Sequence, residues 1–147
     1  MNERFQFRFQ KVLDYRETIK KKKTEELAGY MKAFEEEKKQ LNELINIRQS
    51  IFNEMDDRSG SGIPAYYLVQ YSKYLESLKA FIDKQRVAAS LMEKKMENCR
   101  EELIEASIDK KVMDNLRTKE LMKYTLEKEK EREKEVEDLV NFKTTRA

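Results

Sequence analysis

The chain has 147 residues, 41% of them charged and 39% apolar, with three glycines, one proline and no histidine. That is far more charge than an ordinary domain carries and too little apolar surface for a thick globular core, a profile typical of long helices. Lys and Arg number 31 against 29 Asp and Glu, and this near balance of interleaved signs speaks against a nucleic-acid surface, which needs a basic excess or a clustered basic face.

The opening segment, MNERFQFRFQ, lacks the apolar core of a secretory signal. Phe5, Phe7 and Phe9 alternate with polar residues, a strand period with no second strand to pair with it. Read as helix, Phe5 and Phe9 share one face and Phe7 points elsewhere, which makes an exposed Phe7 a natural protein contact. A first helix is expected over about residues 4–56. Its clearest repeat is Leu27, Tyr30, Phe34, Leu41, Leu44, Ile51 and Met55, with Glu37 and Arg48 in the remaining slots. These spacings alternate between three and four, as in a left-handed coiled coil. Upstream, Phe5, Phe9, Val12, Leu13 and Ile19 continue an apolar stripe in another phase. The polar stretch Lys20 to Glu26 separates the two, a slip that changes local supercoiling without ending a helix.

A turn is expected over about residues 57–64, where Gly60 and Gly62 loosen the backbone and Pro64 cannot continue an upstream helix. A second helix follows over about residues 65–142. Tyr71, Leu75, Leu78, Ile82, Gln85, Ala89, Met92, Met96, Cys99, Leu103, Ala106, Lys110 and Met113 alternate by four and three without a break. A short connection makes the two helices antiparallel neighbours. With the turn centred near Ser61, Met55 lies near Tyr67, Leu27 near Lys95 and Phe9 near Met113. At 1.5 Å per residue the first arm spans about 75 Å and the second roughly 110 Å, so the second overhangs the first. The fold expected is all-α: one domain over 1–147, a long antiparallel two-helix coiled coil with an overhanging C-terminal helix.

The overhang, beyond about Met122, carries the charge run Glu127 to Asp138. Opposite charges meet at three-residue spacing and like charges at four, effects of a few tenths of a kcal/mol that partly cancel. Val136, Leu139, Val140 and Phe142 then form a small apolar cluster suited to binding another protein. Tyr66, Tyr67, Tyr71 and Tyr74 cannot all face one narrow seam. Either they pack over the turn as a local cap or they form a second partner surface, where tyrosine is enriched.

No catalytic residue, cofactor or metal ligand set is expected. Without histidine the commonest acid-base group and metal ligand is missing. A single cysteine, Cys99, cannot build a zinc site and reads as a small buried seam residue in a reducing, cytoplasmic setting. No apolar stretch reaches the length of a membrane span.

The segment FQFRFQKVLDYRE, with Phe5, Phe7, Phe9, Val12, Leu13 and Arg16, resembles the opening of the FliJ family of bacterial flagellar export proteins. DKKVMDNLR at Asp109 to Arg117 and EREKEVEDLV at Glu131 to Val140 match that family's later segments. The resemblance implies an antiparallel coiled coil similar to the central stalk of rotary ATP synthases. It implies association with the export ATPase hexamer, with the membrane-embedded export gate through its cytoplasmic part, and with export chaperones, at the cytoplasmic face of the membrane. The ATPase-contact end is then Phe5, Phe7, Phe9, Val136, Leu139, Val140 and Phe142, and the tyrosines form the second surface. Two rivals share parts of this pattern: the stalk of virulence-type secretion systems, and a coiled-coil-finger transcription factor acting through Asp56 and Asp57. A parallel basic zipper using Lys20 to Lys23 is disfavoured by the Gly60 to Pro64 turn.

Overall fold

The structure is a computed structural model and describes residues 4–145; residues 1–3 and 146–147 of the domain expected over 1–147 lie outside the described ones. Among the described residues the chain forms two helices, α1 (Gln10–Ser59) and α2 (Ala65–Thr145), packed together as a helical hairpin coiled coil. The reversal is built as the composition requires. The Ser59 hydroxyl donates to the Asp56 carbonyl (2.9 Å), and the backbone N–H and hydroxyl of Ser61 both donate to the Arg58 carbonyl (each 3.1 Å). Gly62 then takes φ +82°, a conformation open to glycine at little cost. The Pro64 carbonyl opens α2 by accepting from the Tyr67 N–H at 3.0 Å. The i,i+4 ion pair Glu54–Arg58 (3.3 Å) lies in the last turns of α1, which run three residues beyond the expected end.

At its other end α1 starts later than periodicity predicts. Residues 4–9 are not helical, and the Phe7 carbonyl accepts the Gln10 N–H at 3.1 Å. The chain divides into two compact units, Lys23–Leu103 on one hand and Met1–Lys22 with Ile104–Ala147 on the other.

In the unit Lys23–Leu103, Ile51, Leu78 and Ile82 form the core, with Leu41, Leu44, Ile45, Met55, Tyr71 and Leu75 packed around them. Ile82 is 1% exposed. Ala89, Met96 and Cys99 continue the buried line along α2. Gln85 of α2 bonds Glu37 of α1, and Cys99 of α2 bonds Lys23 of α1, so partner numbers fall on α1 as they rise on α2. This is the antiparallel register expected with the turn centred near Ser61.

In the other unit, Phe7, Leu13 and Met113 are buried together, with Phe5, Phe9 and Leu116 against them. Phe9 therefore lies beside the cluster of Met113, as the register requires. Val12, by contrast, is on the exposed side. The aromatic segment turns inward before α1 begins, so helical phase does not extend back through it. Beyond Lys128 every described residue is exposed.

Candidate partner-binding surfaces

The stretch where the seam slips, Lys20 to Glu26, remains helical and is held by polar contacts. Lys23 Nζ reaches Glu102 at 2.7 Å across the hairpin and Glu26 at 3.2 Å along α1. The hydrogen bonds to Glu102 and then Glu26 hold the Lys23 ammonium above its usual range, against the opposing effect of desolvation. Beside it the Cys99 thiol donates weakly to the Lys23 carbonyl at 3.7 Å, and burial pushes that thiol up. A lysine thus occupies a seam layer by keeping its ammonium on two carboxylates at the rim. In the other unit Arg16 Nη1 donates to the Asp109 carbonyl at 2.8 Å, fastening α1 to the backbone of α2.

The aromatic opening is a clamp, not a free surface. Phe7, expected to be exposed, is 6% exposed. The expectation rested on a helical period. In non-helical backbone, alternate residues can turn to the same side, and Phe5, Phe7 and Phe9 do so. Phe5 packs its ring 5.5 Å from that of Tyr124 and lies under the Arg117 guanidinium at 5.7 Å. Arg8 stacks over Phe9 at 4.6 Å and reaches Glu120 at 3.9 Å. The alternation of Phe with polar residues was the signal that would have placed Phe7 inside.

Val136, Leu139, Val140 and Phe142 are all more than half exposed on α2. The first three stand at i, i+3 and i+4 and share one helix face. At the turn, Tyr66, Tyr67 and Tyr74 are exposed while Tyr71 is half-buried against the core of its unit. Tyr66 and Tyr67 meet edge to face at 5.7 Å. Tyr67, Gln70, Tyr71 and Tyr74 line an open groove with Ile51 and Glu54. Tyr71 alone of the four joins the packing beside the turn. Phe52, Leu68 and Val69 are exposed as well, and Phe52 lines a separate groove with Leu75 and Lys79; their phase off the seam is the sequence signal for that exposure. Asp56 and Asp57 are exposed near the end of α1, and no acidic or thiol cluster fit to hold a metal ion occurs among the described residues. No described helix is long and apolar enough to cross a membrane.

These surfaces sit on a hairpin whose sequence matches the model of the flagellar FliJ protein family over residues 5–146. The chain belongs to the FliJ family. It is 24% identical over 135 residues to the flagellar FliJ protein of Bacillus subtilis (strain 168), covering 92% of each chain. No solved structure matches it. Membership makes the protein a component of the flagellar export machinery. It removes the ground for the transcription-finger reading, and the hairpin rules out the parallel basic zipper.

Proposed function

We propose that the protein is a non-catalytic, stalk-like member of the flagellar export apparatus, at the cytoplasmic face of the membrane at the flagellar base. In this reading the end of α2 enters the ring of the export ATPase hexamer. The exposed tyrosines by the turn serve a second partner, the cytoplasmic part of the export gate, and export chaperones bind during their recycling. The supporting observation is the stretch from residue 129 to 145, helical and exposed throughout, with Val136, Leu139 and Val140 on one face and no α1 residue covering them. An exposed apolar cluster flanked by charge is the usual mark of a protein-binding surface. Phe5, Phe7 and Phe9 support that end from within, by holding the preceding part of α2.

The test mixes the purified protein with the flagellar export ATPase and follows hexamer formation and ATP hydrolysis. Stimulation that disappears on deleting Glu127 to Ala147 supports the stalk role and assigns the contact to the end of α2. Absence of both binding and stimulation would remove the ATPase from its partners.

A further inference from the structure

In the unit containing Ile104–Ala147, α2 turns Ala106 and Met113 toward α1. Two residues on from the covered positions 106, 110, 120 and 124, roughly 200° round the helix, stand Ile108, Val112, Met122 and Leu126, and the same heptad frame continues to Val136 and Val140. These side chains are between 54% and 62% exposed. They fall in one heptad frame on the face turned away from α1, and their slots are continued by exposed Asn115, Lys119, Glu129 and Glu133. Apolar residues at successive a and d positions form a coiled-coil seam, and here that seam is unoccupied by the chain's own first helix.

The stripe is complementary to itself when reversed about position 124. Met122 then faces Leu126, Val112 faces Val136, and Ile108 faces Val140. Lys119 faces Glu129, Asn115 faces Glu133, and Glu105 faces Lys143. Every one of these layers joins an a position to a d position, as the geometry of oppositely directed helices requires. A parallel pairing would instead stack Glu129, Glu133 and Lys119 each upon its own copy, placing like charges in the seam.

We propose that this outer stripe of α2 binds a second copy of the chain, as an antiparallel dimer with its two-fold axis at position 124. The self-complementary arrangement is that of an isologous interface, in which each contact occurs twice. Flanking positions oppose it, since Lys123 meets its own copy and Asp109 meets Glu137. The dimer is therefore weak and reversible. Val136 and Val140 also belong to the end assigned above to the ATPase, so pairing covers that end; the dimer itself does not depend on the ATPase assignment.

Sedimentation equilibrium of the full chain, from micromolar to several hundred micromolar, tests this without any ATPase. A mass rising toward twice the monomer is expected. Lys119→Glu sets like charge against Glu129 twice per dimer and weakens association about tenfold; Glu129→Lys does the same. The double variant Lys119→Glu/Glu129→Lys reverses both pairs and restores it. Circular dichroism at 222 nm checks that each variant keeps its helix content, which substitution at exposed positions preserves. A monomer throughout the range overturns the proposal, as does a dimer indifferent to the single changes or not restored by the double one.

Discussion

Gln85 of α2 directs one side-chain amide at Glu37 of α1, donating to both its carboxylate and its backbone carbonyl, the latter at 3.0 Å. Each is a polar residue in a seam that is otherwise mainly apolar on both sides, and the two meet because the register puts them opposite. A polar pair of this kind fixes alignment at a cost in stability. Gln85→Ala removes a hydrogen bond to a charged group and should lower stability by about 1.5–3 kcal/mol in urea unfolding. The double variant Glu37→Leu/Gln85→Leu should be at least as stable as the parent. A loss in the double variant as large as in the single one would show that the pair adds stability of its own.

The Lys23 layer predicts a loss of stability toward alkaline pH. The folded-state values of Lys23 and Cys99 both lie above their ordinary ones, 10.5 and 9.0. For a group raised on folding, the unfolded chain releases its proton first as pH climbs. The contribution is whole below the unfolded value and declines above it. Stability tied to Cys99 should fall from about pH 9, and that tied to Lys23 from about pH 10.5. Thermal unfolding monitored between pH 7 and 11 should show the midpoint dropping in that window, and less steeply in Lys23→Met. The thiol of Cys99, 3% exposed, should react with a thiol reagent at pH 8 far more slowly in the native protein than in urea.

Gly29 lies inside α1, and a Cβ built there meets nothing within 4 Å. Gly29→Ala should therefore raise stability by about 0.5–1 kcal/mol, through the lost backbone freedom of the unfolded chain. Gly62→Ala should lower it, because φ +82° is unfavourable to a residue with a Cβ. Opposite shifts of the two denaturation midpoints are the expected result.

What the sequence made readable was whatever follows from a single period. The alternation of three and four along α2 located its seam, and the Gly60 to Pro64 turn then set the register that places Glu37 by Gln85 and Phe9 by the Met113 cluster. Helical phase puts Phe7 on the outside and fails there because residues 4–9 leave the helix; in the absence of a strong cap only their packing against α2 shows it. At Lys23 the sequence shows a slip and not the contact, since Glu102 comes from 79 positions away along the chain. Exposed Val136, Leu139 and Val140 were readable as a cluster, whereas their membership in a longer outer stripe emerges only once α1 is known to occupy the other face.

Phe7 gives a prediction that separates the clamp from the exposed end it supports. Its ring is buried with Leu13 and Met113, and truncating a buried phenylalanine typically costs 3–5 kcal/mol. Phe7→Ala should therefore release residues 4–9 and speed amide exchange around Leu13 and Met113. The unit Lys23–Leu103 has its own core of Ile51, Leu78 and Ile82, and exchange there should stay slow. Deleting residues 129–145 should do the reverse. These residues are exposed throughout, so their loss removes helical signal in proportion to their number and leaves protection near Phe7 unchanged. Hydrogen exchange on the two variants distinguishes these outcomes. If the deletion also loosened Phe7, the end of α2 would be part of the fold and not a surface held out for a partner.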